Sequence, residues 1–105
     1  MPEIIQDAQT FRADKAWGAR EIARIDGASV RLHWTDQPYK WHVNDGAEVF
    51  VVMQGVVDMH YRENGAEKIG QLGAGDMFVA GVGDEHVAHP IGEARVLVIE
   101  REGSV

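Results

Sequence analysis

The chain lacks several features that would assign it to a class at once. It contains no cysteine, which excludes a disulfide framework and a thiolate metal site, so any metal ligands must be His, Asp, Glu or weaker donors. Only 10 Lys and Arg stand against 17 Asp and Glu, and the net charge of −7 argues against nucleic acid, whose binding needs clustered basic side chains. No stretch approaches the ~20 apolar residues of a membrane span. We therefore expect a cytoplasmic protein with neither nucleic-acid nor membrane partners.

Glycine, in contrast, is abundant, with 12 residues, and turn signals recur at short intervals. The pairs Asp26-Gly27 and Asn64-Gly65 are strong signals for two-residue hairpin turns. Between the turns, β-branched and aromatic residues alternate with polar ones, which is typical of strands. Residues 17–25 are compatible with a helix or a strand, and the hairpin signal that follows them favours the strand.

These segments predict about nine or ten short strands and no long helix. We place the strands at 17–25, 28–34, 39–42, 48–53, 56–61, 67–72, 77–80, 86–89 and 95–100. Such close spacing is typical of an all-β sandwich or barrel. A length of 105 residues suits a single domain. Residues 1–16 are expected to form an N-terminal arm that packs on this subunit or on a neighbour.

The stretch from Trp41 to Gly55 carries the strongest chemical signal. Glu48 opens an apolar strand and shares a face with Phe50 and Val52, because side chains alternate across a strand. An inward carboxylate must be paired, protonated or bound to a metal, since burying it alone costs many kcal/mol. His42 precedes Glu48 by six positions across a short turn and can supply a neutral nitrogen to the same point. The stretch therefore gives a first indication of a metal site.

Two motifs in order make the chain resemble a small single-domain cupin. That family has a His-x-His pair, a glutamate and a glycine, followed by a glycine, Pro-x-Gly, a histidine and an asparagine. The matching positions here are His42-Val43-Asn44, Glu48 and Gly55, then Gly75, Gly81-Val82-Gly83, His86 and Pro90. Gly81 stands in place of the family's proline and Pro90 in place of its asparagine. Both replacements are expected to affect the shape of a turn and not the fold. The resemblance covers 41–90 and implies a cupin-type jelly-roll β-barrel over the whole chain, 1–105.

The resemblance further implies a divalent metal ion held inside the barrel by His42, Asn44, Glu48 and His86, with Asn44 in place of the family's second histidine. Two imidazoles and a carboxylate suit iron(II), and zinc accepts three such ligands with a water. The identity of the metal stays open among iron, manganese, nickel and zinc. The Asn44 oxygen could ligate a hard ion or hold a metal-bound water. The alternative is a metal-free barrel in which His42, Glu48 and His86 hydrogen-bond one another.

The remaining histidines and the apolar residues near the motifs carry weaker signals. His33 shares a strand face with Arg31, and His60 lies on a charged face, so both are expected at the surface. His89 is opposite in parity to His86 and is expected to miss the metal. Three apolar residues are expected either to line a substrate pocket or to belong to the hydrophobic core: Phe50, Val52 and Phe78.

Three functional interpretations follow from these observations. The first is a metal-dependent enzyme, of the dioxygenase, isomerase or decarboxylase type, acting on a small organic molecule; no separate general base or nucleophile is visible. The second is a non-catalytic module that binds or senses a small molecule, and the third a storage or structural role. Since residues 49–53 are apolar on both faces, the outer face needs cover, and we expect a homodimer.

Overall fold

The computed structural model describes residues 1–103, and these residues contain seven β-strands and no helix. The strands are β1 Gly18–Ile25, β2 Ala28–Thr35, β3 His42–Val43, β4 Glu48–Glu63, β5 Ala66–Leu72, β6 Met77–Ala80 and β7 Glu85–Arg101. The all-β prediction is confirmed. The described residues include no helix long and apolar enough to cross a membrane.

The strands form one antiparallel sheet in the order β1-β2-β7-β4-β5, with β3 on β7 and β6 on β4. Strands β4 and β7 are long enough to take part in both halves of this sheet. The first half of β4 pairs with β6 and the end of β7, and its second half pairs with β5 and the start of β7. Side chains from both halves pack into one core: Phe50, Val52, Val57, Met59, Ala88, Ala94, Val96 and Val98. The sheet therefore folds over on itself as a jelly roll.

The strand count differs from the expected nine or ten, because two expected turns are bulges inside long strands. The pairing of β4 with β7 shifts its register between Val52 and Val56. At the centre of the shift Gly55 has a φ of +91°, and a Cβ there would lie 2.5 Å from Glu93 O. Only glycine allows this backbone conformation and this close approach. The expected turn at 91–94 likewise lies within β7.

The two hairpin turns predicted from sequence are confirmed. Asp26 and Gly27 have φ values of 48° and 81°, and they join β1 to β2. Asn64 and Gly65 have φ values of 53° and 78°, and they join β4 to β5. Positive φ at both central residues defines the turn that matches the twist of the flanking strands, and Asn, Asp and Gly tolerate it best.

The N-terminal arm, residues 1–16, packs on its own subunit and covers part of the outer face of the sheet. Arg95 Nε donates a hydrogen bond of 2.8 Å to Phe11 O. The guanidinium of Arg12 lies 5.0 Å from the ring centroid of Trp34. Trp34 is only 4% exposed although it lies on the outer face. The arm thus covers part of the outer face of the sheet around Trp34.

Candidate metal centre

Three of the side chains that the two motifs singled out meet inside the barrel. His42 on β3 and His86 on β7 are cross-strand partners, and Glu48 is the first residue of β4. One potential ligand atom from each residue lies within 4.8 Å of the other two. Within residues 1–103, no other group of three or more His, Cys, Asp or Glu comes together in this way. That these atoms bind a metal ion stays a prediction.

Asn44 joins this group from the loop after β3. Its Nδ2 donates a 3.0 Å hydrogen bond to Glu48 Oε1, and its Oδ1 accepts a 2.6 Å hydrogen bond from His86 Nε2. Two backbone hydrogen bonds of 2.8 Å hold the loop, one from Asn44 N to Asp84 O and one from Gly83 N to Asn44 O. The amide is therefore buried and fixed beside Glu48 and His86.

The hydrogen bond of the His42 imidazole suits a metal ligand. His42 Nδ1 lies 3.1 Å from Lys40 O, which can only accept, so Nε2 keeps its lone pair. An imidazole anchored through its other nitrogen to a backbone carbonyl is the usual arrangement of a metal-bound histidine. His86 Nε2 lies 3.3 Å from Glu48 Oε1, while its buried Nδ1 has no hydrogen-bond partner in the described part of the chain. The donor set thus fits a transition metal, although the same contacts also satisfy the metal-free alternative.

Glu48 is held in its ionised form. Burial is the largest single influence and opposes ionisation, but the hydrogen bonds from His86 and Asn44 and the charge interactions with His86 and His42 together outweigh it, so the pKa of Glu48 lies below its ordinary value. A carboxylate that is already ionised needs no proton loss before it coordinates a cation. The group therefore offers one negatively charged oxygen beside two imidazoles.

A cavity of about 170 Å³ opens beside this group. Its apolar and aromatic lining consists of Trp17, Tyr39, Phe50, Ala88 and Val98. Its polar lining consists of Arg31, His33, His42, Glu48, His86 and Glu100. A small molecule in this cavity would face the candidate ligands His42, Glu48 and His86 directly.

The three expected pocket residues have different positions. Phe50 lines the cavity. Val52 lies two residues further along β4, where it is completely buried in the core rather than at the cavity wall. Phe78 packs its ring 5.1 Å from the ring of His86, but it lies outside the cavity lining. Phe50 thus lines this cavity, Val52 lies in the core and Phe78 borders a second pocket, and contact of any of them with a substrate stays a prediction.

The expected surface position of His33 is wrong. His33 is half-buried in the cavity wall, its Nδ1 lies 2.9 Å from Trp17 O, and burial lowers its pKa against the raising effect of that contact. The strand face was assigned in reverse because Leu32 and Trp34 look like core residues. They lie on the outer face, under the arm, so Arg31 and His33 point inward. His60 and His89 lie away from the metal group, with ring centroids 4.1 Å apart.

Sequence reasoning missed three polar residues of the cavity: Arg31, His33 and Glu100. Glu100 follows Val96 and Val98 at alternate positions of β7, so the pattern of that strand already placed it on the inner face. Its direct partner on β4 is Glu48. Burial raises the pKa of Glu100 to about 7, and the charge of Glu48 adds to the effect. A carboxyl group that titrates near neutral pH beside a cavity can exchange a proton with a ligand.

Glu100 should make the metal-free protein less stable as the pH rises. The folded state holds its proton up to about pH 7, whereas the unfolded chain releases it near 4.5, so stability falls between these values and is level above them. Glu100→Gln removes this effect. We expect the variant to match the wild type at pH 4 and to exceed it at pH 8 by about 1 kcal/mol, after allowance for partial exposure. Thermal unfolding should show a midpoint about 4 °C higher at pH 8 only. An equal gain at both pH values would contradict the assignment.

Solved structures of known proteins share this fold. A cupin-2 domain containing protein from Shewanella frigidimarina matches with a TM-score of 0.76 and 28% sequence identity, covering 86% of this chain and 85% of that one. A cupin superfamily protein from Desulfitobacterium hafniense matches with a TM-score of 0.78 and 13% identity, covering 96% and 92%. Fe(II)-HppE with an alternative substrate matches with a TM-score of 0.67 and 14% identity, covering 78% of this chain and 48% of that one. No protein-family model and no curated protein matches the sequence.

Proposed function

We propose that this chain, a small cupin domain, binds a divalent transition-metal ion through His42, Glu48 and His86 and acts on a small organic molecule in the adjoining cavity. The observation that carries the proposal is the convergence of these three side chains within 4.8 Å at the cavity wall. Asn44 is the weaker fourth contact, through its amide oxygen. Iron, manganese, nickel and zinc are the metals to test.

Two imidazoles and one carboxylate leave open positions for a substrate, which is the donor arrangement of non-haem iron enzymes. The Fe(II) in the name of HppE, a protein with this fold, supports iron as the first metal to test. A bound metal would supply Lewis acidity or oxygen activation. The chain's own contributions are the aromatic wall of Trp17 and Tyr39, which orients a ligand, and Glu100, which can hold or release a proton. Dioxygenation, isomerisation and decarboxylation are the reaction types proposed.

A non-catalytic binding or sensing module is the second candidate. The 2.6 Å hydrogen bond between Asn44 and His86, together with the contacts to Glu48, favours it, because the polar group is largely satisfied without an ion. A closed polar network beside a cavity is a rigid platform for a small molecule.

Metal analysis of the protein as isolated separates the two candidates. Under the proposed function, the protein carries iron, manganese, nickel or zinc, and the metal-free form takes up one ion per chain on titration. Mass spectrometry of the same sample identifies any organic molecule that purifies with it. A protein that binds none of the four metals yet retains an organic ligand would establish the binding module instead.

We also propose that two copies associate through the outer face of β4 and β6. Val79 and Met77 are 71% and 60% exposed there, and they pair with Val49 and Val51 to form a continuous apolar surface. Such a surface on a small domain usually marks an interface. Light scattering should report a dimer for the wild type and a monomer for Val79→Glu, while Ile69→Glu on β5 should stay dimeric. A monomeric wild type at high micromolar concentration would contradict this.

A further inference from the structure

Arg31 is the arginine of the cavity, and its guanidinium has no hydrogen bond or ion pair with any residue in 1–103. All six other arginines have such a partner: Arg12, Arg20, Arg24, Arg62, Arg95 and Arg101. Those six serve the outer surface or the arm. Arg31 is half-buried on the inner face of β2, so its guanidinium is partly removed from water and has no direct ion pair to offset this loss.

The carboxylates near Arg31 are bound to other residues or make no direct contact with it. Glu21 is its direct cross-strand partner on β1, but the Glu21 carboxylate lies 2.6 Å from Arg24 Nε. Glu48 is bound to Asn44 and His86. Glu100 lines the same cavity without an ion-pair contact to Arg31. The positive charge of Arg31 is therefore available to a ligand.

The aromatic wall of the same cavity is built at a conformational cost. Trp17 has a φ of 63°, a value that bulky residues rarely adopt. Its indole nitrogen donates a 2.9 Å hydrogen bond to Gln37 O, and its ring lies 5.3 Å from that of Tyr39 in an edge-on arrangement. Strained backbone of this kind persists where the surrounding structure holds it, often at ligand sites. The wall thus presents fixed apolar surface for the body of a ligand.

We infer that Arg31 is the anion-binding residue of the cavity and that the ligand is a small organic carboxylate. The guanidinium donates two parallel hydrogen bonds to the carboxylate, which is the geometry that this pair favours. The apolar body of the ligand packs on Trp17 and Tyr39, and its far end faces His42, Glu48 and His86. The cavity of about 170 Å³ limits the ligand to a compact molecule. This inference rests on the proposed function for the position of the reacting end, but the anion contact itself needs no metal.

Two pairs of probes isolate the charge of the ligand, because the members of each pair have nearly the same shape. They are benzoate with benzamide and propionate with propionamide. We expect calorimetric titration of the wild type, metal-free and zinc-loaded, to give about tenfold tighter binding for the carboxylate of at least one pair. Arg31→Gln should lose that preference, Arg31→Lys should retain part of it, and amide binding should change little. Arg12→Gln, an arginine on the outer face, is the matched control and should behave as the wild type.

Zinc titration of the same samples distinguishes failure of this inference from failure of the proposed function. If the wild type binds zinc but neither carboxylate is preferred, or if folded Arg31→Gln keeps the preference, the inference is overturned and the metal proposal stands. If no metal binds but Arg31→Gln abolishes the preference, the metal proposal fails and the anion site stands. Wild-type protein that binds none of the four probes also overturns the inference. Should Arg31→Gln fail to fold, Arg31→Lys decides, since a full wild-type preference there would exclude the paired hydrogen bonds.

Discussion

Glu48→Gln should weaken zinc binding by roughly a hundredfold or more, because removing even an outer partner of a metal ligand costs roughly 10- to 100-fold. Glu48 supplies the single negatively charged donor of the group, whose other candidate donors are two imidazoles and the Asn44 amide oxygen. Glutamine keeps the size of the side chain and an oxygen that can accept the hydrogen bond from Asn44 Nδ2. The loss would therefore come from charge rather than from packing. Competition against a chelator of known affinity measures it.

A second carboxylate on a neighbouring strand provides the control for this substitution. Glu85 precedes His86 on β7 and is bound to Arg62 rather than to the candidate metal group. Glu85→Gln removes the same charge close to the site and should change zinc affinity by no more than about twofold, as expected for a screened surface charge. If Glu48→Gln binds zinc as tightly as the wild type does, the metal is held elsewhere and the proposed centre is wrong.

Local sequence patterns identified most of the fold because the signals involved are themselves local. Asp26-Gly27 and Asn64-Gly65 tolerate positive φ, and this alone specifies the two hairpins. Gly55 carried the same signal but has a different role, since it brings β4 close to β7 at a bulge. A bulge depends on a partner strand about 40 residues away. Its glycine therefore looks like a turn until the pairing is known.

The candidate metal ligands could be predicted from the sequence, whereas the inward position of Arg31 and His33 could not. The spacing of His42, Glu48 and His86 was informative because an inward carboxylate demands a partner. The face of β2 was assigned in reverse, because Trp34 and its neighbours look like core residues whichever side covers them. The N-terminal arm packs over Trp34 on the outer face. The periodicity of the sequence does not predict where this arm packs. Arg31 could therefore be assigned to the cavity only once the structure showed which face of β2 the arm covers.

Asn44→His should tighten binding of zinc or nickel by about tenfold or more, equivalent to about 1.4 kcal/mol. The amide of Asn44 is buried beside Glu48 and His86, so a new imidazole would start within the group. Imidazole is a stronger donor than a neutral amide oxygen for nickel, copper and zinc. Hard ions such as magnesium should gain little or nothing, since they prefer oxygen ligands.

The neighbouring position supplies the control for Asn44→His. Val43 is 55% exposed and points away from the group, so Val43→His adds an imidazole at the adjacent position without adding a ligand. It should bind zinc as the wild type does. Titration of metal-free wild type and both variants with zinc, nickel and magnesium, with folding checked by thermal unfolding, measures the difference.

The structure makes the outcome of this experiment decisive. The backbone hydrogen bonds at Asn44 hold its side chain toward His86, so an orientation away from the site no longer explains an unchanged affinity. A folded Asn44→His variant with wild-type affinity would mean that the group does not bind metal through these atoms. Asn44, Glu48 and His86 would then form a structural hydrogen-bond network. The non-catalytic binding module would become the better explanation of this cavity. A gain confined to zinc and nickel would instead identify Asn44 as the weak contact of a transition-metal centre.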